Sequence, residues 1–363
     1  MQGRNWKWCT VAALCFCFLF VVTFERCEAD EPASSPLLLG WRKQSPVPDV
    51  RGVAAPFAGL HGNSLLVGGG ANFPDRPPWE GGAKVWYDRV WSYHQIHGWR
   101  EAGRLPRPLG YGVSISAGDG LICIGGSDLE RHYPDVFCLT IRDHNFETKP
   151  LPGLPRPVAN ACGAMLGRTI YIAGGLESPS STTTLKTFFA LDLDAKEPVW
   201  KELEAWPGPP RMLAVAAVLD GNLFVVSGTD LSADDEGKPK RRYLNDAYRY
   251  HPQSGWKRIA DLPHPAVAAP SPAPTVGTSH FLIISGDDGS KVGIQQQKHP
   301  GFSNRVLAYS AITNAWKEIG KTPAPRVTVP TVQRDVEWLI VSGEQRPGVR
   351  SPEVWGLIAI PDE

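Results

Sequence analysis

A short apolar run that ends in a small residue and a glycine recurs six times along this chain of 363 residues. The last glycine of each run lies at position 70, 126, 175, 228, 286 or 343, so consecutive glycines are 56, 49, 53, 58 and 57 residues apart. A period of about 50 residues, with four short strands in each unit, is typical of the kelch β-propeller. The sequence therefore predicts an all-β fold of six blades, each of them a small antiparallel sheet.

The two ends of the chain complement each other. After Gly343 the chain supplies one further strand-like run, residues 354–360, so the sixth unit lacks its fourth strand. Near the start, residues 40–43 (GWRK) resemble residues 255–258 (GWKR), which form the predicted fourth strand of another unit. We therefore expect the N-terminal segment to pair into the last blade and close the ring, which leaves no exposed inner edge to aggregate.

The charge of the chain is balanced, with 37 basic and 37 acidic residues. This balance gives no indication of a nucleic acid or an anionic membrane as a partner. Residues 1–29 differ from the rest, because basic residues precede an apolar run at 11–24 and small residues suit cleavage after Ala29. We expect a signal peptide, export to the periplasm or beyond, no stable membrane insertion after cleavage, and one propeller domain over residues 30–363. An uncleaved anchor is the alternative, although the run is shorter than the roughly 20 residues of a membrane span.

Three cysteines follow the predicted cleavage site: Cys123, Cys138 and Cys162. Cys123 and Cys138 fall on successive strands of one predicted blade, so a disulfide across that hairpin is one alternative. Buried thiols are favoured, because a propeller of this size has enough core without disulfides. The oligomeric state stays open.

Strands in a blade alternate in direction, so the loop after the second strand and the connection after the fourth emerge on the same face. The long loops of all six units and the proline-rich connections lie on this face, at one mouth of the central channel. Loops held by a rigid scaffold often carry function, so a pocket at this mouth is the expected site.

The long loop of the last unit holds an acidic and a basic residue at a short spacing. Glu344 follows the buried strand directly and is expected to point towards the channel, while Pro347 and Gly348 form a turn that returns Arg350 to its side. A carboxylate for proton transfer and a guanidinium that binds a carboxylate suit an anionic polar ligand. A solvated ion pair without a role in binding is the structural alternative.

Several segments resemble the kelch-type N-acetylneuraminate epimerases, also called sialic acid mutarotases. Residues 343–350 (GEQRPGVR) carry the pattern Gly-Glu-x-x-Pro-Gly-x-Arg, which is the specific part of the resemblance. Residues 52–59 (GVAAPFAG), 69–74 (GGANFP) and 111–114 (YGVS) extend it. The order of the units is similar to the circularly permuted branch of the family. Ser342 departs from the family pattern, in which a bulkier residue such as Asn is common, and this leaves the preferred sugar open.

The resemblance implies an isomerase that interconverts the α and β anomers of N-acetylneuraminate, or of a related sugar, by general acid–base catalysis without a metal or redox cofactor. It implies that Glu344 and Arg350 are the catalytic pair, with Glu344 as general base and Arg350 binding the carboxylate of the small sugar acid. It also implies that Arg211 and the Asn72 loop lie near the pocket. Tyr111 is a candidate for the partner acid, with packing as its alternative role.

A non-catalytic kelch module that binds a protein or a carbohydrate is the alternative function. The two functions differ in the shape that they require. A mutarotase needs a concave pocket in which Glu344 and Arg350 converge, whereas a binding module presents a flatter and wider face without such a pair.

Overall fold

The computed structural model describes residues 37–118, 120–142 and 145–361. The predicted signal peptide, residues 1–29, lies outside them. The described residues form six four-stranded antiparallel sheets arranged as the blades of a β-propeller, and they contain no α-helix. The all-β, six-bladed fold predicted from the glycine spacing is confirmed. No helix in these ranges is long and apolar enough to cross a membrane.

Each blade has four strands, which follow one another from the channel outwards. The first three blades comprise Phe57–His61, Ser64–Gly68, Arg89–His94 and Gly98–Arg104; Val113–Ser116, Leu121–Ile124, Val136–Arg142 and Asn145–Leu151; and Cys162–Leu166, Thr169–Ala173, Phe188–Asp192 and Lys201–Glu202. The last three comprise Val215–Leu219, Asn222–Val226, Ala247–His251 and Gly255–Ile259; Thr275–Val276, His280–Ile284, Arg305–Ser310 and Ala315–Lys321; and Thr331–Arg334, Glu337–Val341, Val354–Pro361 and Leu37–Gln44.

The loops add short elements of their own. Three two-stranded ribbons pair Ala71–Asn72 with Val85–Trp86, Thr229–Ala233 with Pro239–Tyr243, and Glu344–Arg346 with Val349–Arg350. Two single 3₁₀ turns cover Pro78–Glu80 and Gln296–Lys298.

The apolar runs that precede the glycines form the second strand of each blade. Leu121–Ile124 is buried along its whole length, because both faces of an inner strand pack against neighbouring blades. The outermost strand of the same blade, Asn145–Leu151, is mostly exposed. The continuous apolar pattern and the polar pattern thus separate the core strands from the rim strands.

The outermost strand of the sixth blade comes from the start of the described chain. Leu37–Gln44 pairs antiparallel with Val354–Pro361, with Trp41 opposite Leu357. The buried carboxylate of Glu337 accepts hydrogen bonds from the Arg42 guanidinium at 3.1 Å and from the Gln44 amide at 2.8 Å. The closure predicted from residues 40–43 is therefore confirmed.

Six backbone hydrogen bonds form a closed circle around the channel mouth. Each links a residue of the connection that leads into an inner strand to its counterpart in the adjacent blade, with N···O distances of 2.8 to 3.0 Å. The six residues all have a positive φ, from 48 to 62°, and are Ala55, Tyr111, Asn160, Leu213, Ala268 and Thr328. Such a φ is unfavourable for non-glycine residues and persists where the surroundings hold it. The circle therefore ties all six blades together on the loop-bearing face.

Ser342 joins the last blade to the first. Its buried hydroxyl accepts a hydrogen bond from the backbone N–H of Val53 at 2.8 Å and donates to the carbonyl of Ser351 at 2.8 Å. Ser227 and Ser285 occupy the same position in their blades and accept equivalent hydrogen bonds, at 2.8 Å, from the backbone of the following blade. The small residue at 342 thus has a structural role between blades.

The two cysteines of the second blade lie on opposite faces of their sheet. Cys123 pairs with Phe137 in the register, and Cys138 pairs with Ile122, so the two side chains point away from each other. Both are buried, and burial raises the pKa of the Cys123 thiol well above its ordinary value. This geometry does not permit a Cys123–Cys138 disulfide.

Candidate active site

A cavity of about 420 Å³ lies at the mouth of the channel that carries the long loops. Its lining comes from the loops and connections of all six blades and includes five residues of the hydrogen-bonded circle. Apolar side chains such as Leu176, Met212 and Phe302 form part of the wall, and charged side chains form the rest. The volume and the mixed lining are those of a site for a small ligand.

Glu344 and Arg350 meet at this cavity. They are register partners in the two-stranded ribbon Glu344–Arg346 with Val349–Arg350, whose turn contains Gly348 at a φ of 83°. Arg350 Nη1 donates to Glu344 Oε1 at 2.9 Å, and the backbone N–H of Gly348 donates to the same oxygen at 2.7 Å. Within the described part of the chain, Glu344 Oε2 accepts no hydrogen bond, so it is available to a ligand.

The Arg350 guanidinium is held from two sides. Its side chain is 3% exposed, against 15% for Glu344, and its guanidinium carbon lies 5.0 Å from the centre of the Phe73 ring. Phe73 lines the cavity, whereas its neighbour Asn72 does not. The Asn72 side chain is buried, accepts a hydrogen bond from the Phe73 N–H at 2.7 Å and donates to the carbonyl of Gly52 at 2.5 Å. Asn72 thus fixes the loop that presents Phe73.

Tyr111 and Lys84 share another wall of the cavity. The Lys84 ammonium lies 4.1 Å from the centre of the Tyr111 ring and 4.6 Å from that of Trp86, so it stacks on two aromatic faces. Burial, and then the charge of Arg350, lower the pKa of Lys84 to about 8, while Glu344 opposes the shift. Burial raises the pKa of Tyr111 to about 12.

Arg211 is not at the cavity. It is fully buried between blades, where Nη2 donates to Asp246 Oδ2 at 2.8 Å and Nη1 to the carbonyl of Ser227 at 2.8 Å. Arg326 repeats this arrangement two blades on, with Glu353 Oε2 at 2.6 Å and the carbonyl of Ser342 at 2.8 Å. The repetition indicates that Arg211 is a link between strands rather than a group that meets a ligand.

Three charged residues of the cavity were not identified from the sequence: Lys84, Arg241 and Asp287. Lys84 lies shortly after the glycine pair Gly81-Gly82, near the end of the longest loop. This position is the only feature of the sequence that could have pointed to it. Asp287 also lines the cavity, and its Oδ2 accepts a hydrogen bond from the Tyr243 hydroxyl at 2.8 Å. Lys84 and Arg241 reach the site by folding of long loops, which strand periodicity does not describe. Asp287 directly follows Gly286, as Glu344 follows Gly343, and this equivalent position could have identified it.

The fold and the cavity define the class of this protein. It is a six-bladed β-propeller with a polar, ligand-sized cavity at the loop-bearing mouth of its channel, and an acidic and a basic side chain converge in that cavity. The site is therefore a concave pocket with a converging pair of side chains rather than a flat face.

Comparison with known proteins finds similar sequences in one family. Residues 151–287 match the sequence model of the family described as N-acetylneuraminate epimerase. The N-acetylneuraminate epimerases of Haemophilus influenzae (strain 86-028NP) and Pasteurella multocida (strain Pm70) are 29% and 30% identical to this chain over 226 and 227 residues. That of Yersinia pestis (strain Pestoides F) is 27% identical over 237 residues. The resemblance to this family that the motifs indicated is confirmed.

The matches are partial. The three alignments cover 55 to 58% of this chain, and the chain spans 57 to 58% of the length of these relatives. The match to the family model ends at residue 287, before the ribbon that carries Glu344 and Arg350. The roles of these two side chains therefore rest on the loop motif and on their geometry.

Proposed function

We propose that this protein is a mutarotase that interconverts the α and β anomers of N-acetylneuraminate or of a closely related 2-keto sugar acid. The observation that carries the proposal is the Glu344–Arg350 pair, joined at 2.9 Å in a cavity of about 420 Å³. The names of the relatives and the Gly-Glu-x-x-Pro-Gly-x-Arg motif supply the choice of sugar. The signal-like sequence at residues 1–29 supports action after export.

The two oxygens of the Glu344 carboxylate have different roles. Glu344 Oε1 is occupied by Arg350 and by the Gly348 N–H, which hold the side chain in place. Oε2 is left to take the proton of the anomeric hydroxyl, so Glu344 acts as general base. The side chain is positioned before substrate arrives, which lowers the cost of orienting it.

The charges of the cavity favour a carboxylate ligand. Its lining contains three basic side chains and two acidic ones: Arg350, Lys84 and Arg241, and Glu344 and Asp287. A guanidinium binds a planar carboxylate with two parallel hydrogen bonds, and Arg350 uses one of its five donors for Glu344. Arg350 binds the sugar carboxylate and stabilises the open-chain keto form next to it.

Exchange NMR on the N-acetylneuraminate anomers tests the proposal. Wild-type protein in catalytic amount is expected to speed α–β exchange over buffer, and Glu344→Gln to lose ~10²–10⁴-fold of that acceleration. Glu318→Gln is the matched control, because Glu318 lies on the exposed outer strand Ala315–Lys321 and pairs there with Arg305. A wild type that leaves exchange at the buffer rate overturns the enzyme assignment for this sugar.

The same samples address the alternative of a non-catalytic binding module. A binding module would show saturation transfer from protein to sugar, or to another partner, without any change in the exchange rate. The concave cavity and the converging pair favour the enzyme.

A further inference from the structure

A mutarotase needs a proton donor as well as a base. Cleavage of the bond between the anomeric carbon and the ring oxygen opens the sugar ring and places negative charge on that oxygen. A positioned acid must protonate it. Glu344 serves as base, and Arg350 holds its protons too tightly to release one. The cavity contains two other side chains close to this pair that carry a transferable proton, Lys84 and Tyr111.

Lys84 is placed by a ribbon and two aromatic rings. It directly precedes Val85–Trp86, which pairs with Ala71–Asn72, so its backbone is fixed. Its ammonium packs on the rings of Tyr111 and Trp86, at 4.1 and 4.6 Å. In the part of the chain that the structure describes, this ammonium makes no hydrogen bond or ion pair. A ring face attracts an ammonium without taking its proton, so no oxygen of the described residues competes with a ligand for the N–H groups of Lys84.

We propose that Lys84 is the general acid of this site, protonating the ring oxygen of the sugar as Glu344 deprotonates the anomeric hydroxyl. This assignment rests on the proposed function and adds the residue that completes it. The two groups line the same cavity, and Tyr111 has a positioning role as one of the faces that hold the Lys84 ammonium.

The proton transfers balance over one turnover. In ring opening, Glu344 takes the anomeric hydroxyl proton, the bond between the anomeric carbon and the ring oxygen breaks, and its electron pair goes to that oxygen, which takes a proton from Lys84. The product is the open-chain ketone, with a neutral amine and a protonated carboxyl. In reclosure, the freed hydroxyl attacks the other face of the ketone, Lys84 recovers its proton, and Glu344 returns its own to the carbonyl oxygen.

The environments of the two candidate acids favour Lys84. Its amine faces Arg350, Glu344 and the rings of Tyr111 and Trp86, and burial followed by Arg350 lowers its pKa to about 8. Burial raises the pKa of Tyr111 to about 12. An acid–base group is most effective when its pKa lies near the working pH, because it must both give and recover a proton.

The test uses the exchange assay with Lys84→Met, Lys84→Arg and Tyr111→Phe in the full chain. Lys84→Met is expected to lower the enzyme-dependent exchange rate by ~10²-fold or more. Lys84→Arg keeps a positive charge but supplies no transferable proton, so it is expected to bind the sugar and to remain slow. Tyr111→Phe retains the ring under Lys84 and removes the other transferable proton, so its loss of rate is expected to be smaller than that of Lys84→Met.

The pH profile gives a second readout. After subtraction of the enzyme-free rate, the wild-type profile is expected to fall as pH rises through about 8, where Lys84 loses its proton. Lys84→Arg is expected to lack this alkaline fall. In a separate rescue experiment, a primary amine added to the Lys84→Ala variant is expected to restore part of the rate.

The outcomes distinguish the two proposals. An active wild type, with a Lys84→Met variant that keeps its rate and its alkaline fall, overturns the role of Lys84 and leaves the mutarotase in place. An inactive wild type overturns both. Thermal melts of each variant show whether a loss of rate comes from unfolding, and the folded Lys84→Arg variant decides the matter if Lys84→Met is unstable.

Discussion

Arg350 Nη1 lies 2.9 Å from Glu344 Oε1, and the two residues face each other across a two-stranded ribbon. The ribbon starts where a buried strand of the sixth blade ends, so the scaffold fixes the position of both side chains. A surface ion pair of this kind would be solvated on all sides, but here the Arg350 side chain is 3% exposed. The pair is therefore part of a cavity wall and is available to a ligand through Glu344 Oε2.

Replacing Arg350 tests carboxylate binding. Arg350→Lys keeps the charge but loses the planar set of donors, so we expect the Kd for N-acetylneuraminate to rise ~10–100-fold, which corresponds to about 1.4–3 kcal/mol. Titration followed by saturation-transfer NMR measures it. Arg346→Lys is the control, because Arg346 belongs to the same ribbon but donates to the carbonyl of Gln297 and does not line the cavity. Equal effects of the two substitutions would contradict the assignment.

Replacing Arg211 separates a structural role from a role in binding. Arg211→Met leaves the Asp246 carboxylate without its guanidinium between blades, so we expect the free energy of unfolding to fall by about 3–5 kcal/mol. Arg326→Met is the matched control, since Arg326 makes the same contacts to Glu353 and Ser342. Urea unfolding and the sugar Kd are both measured. An Arg211→Met variant of normal stability with weakened sugar binding would place Arg211 in the site.

Closure of the ring is tested by two glycines in the paired strands of the sixth blade. A Cβ on Gly356 would lie 1.9 Å from Glu337 Oε1, so Gly356→Ala must displace the carboxylate that Arg42 and Gln44 bind. We expect a lower Tm for this variant. A Cβ on Gly40 would lie no closer than 3.6 Å to its nearest neighbour, the carbonyl oxygen of Ile358, so Gly40→Ala is expected to leave Tm unchanged or slightly higher. The same Tm for both variants would contradict this view of the closure.

Lys84 is expected to cost stability at neutral pH. Its pKa is about 8 in the folded protein and 10.5 in the unfolded chain, so the unfolded state binds its proton more tightly, and stability rises with pH between these values. Lys84→Met removes this cost, and its free energy of unfolding at pH 7 should exceed that of the wild type by at most about 3 kcal/mol. Urea unfolding at pH 7 and pH 10 should show the difference shrinking. Lys317→Met, on an exposed outer strand, controls for the loss of a charge, and a difference that grows with pH would contradict the prediction.

Periodicity carried the prediction of the scaffold. The buried runs before each small-Gly pair occupy the same place in every blade, so their spacing sets the number of blades. Residues 40–43 resemble an outer strand because they perform the same task in the sixth blade. Glu344 and Arg350 were predicted to meet because the turn at Pro347 and Gly348 reverses the chain between them. The contact therefore depends only on residues that are close in sequence.

The parts that the sequence did not predict depend on non-local packing. Lys84 reaches the cavity because its loop folds back on Tyr111 from another blade. Arg211 and Asn72 lie close to the site along the chain, but their side chains are turned into the protein by Asp246 and by the carbonyl of Gly52. The register between two strands decides which of their side chains share a face of the sheet. Here it places Cys123 and Cys138 on opposite faces.

The hairpin that follows the third strand of the first blade departs from simple alternation. A strand that continued through His94 and His97 would send the two side chains to opposite faces. Strand Arg89–His94 instead ends at His94, and a turn brings the two rings into a stack with centres 4.9 Å apart. The turn determines where the strand ends, and the alternation of polar and apolar residues within the strand does not reveal that position.

The central claim is that Glu344 and Arg350 act together on the anomeric centre of a sugar acid. The most direct measurement is the α–β exchange rate of N-acetylneuraminate with wild type, Glu344→Gln, Arg350→Met and the double variant, each shown by its melt to be folded. Groups that act as a unit are not additive, so we expect the wild type to exceed buffer clearly and the double variant to lose little more than the worse single variant. A wild type no faster than buffer, or single losses that multiply in full, would contradict the claim.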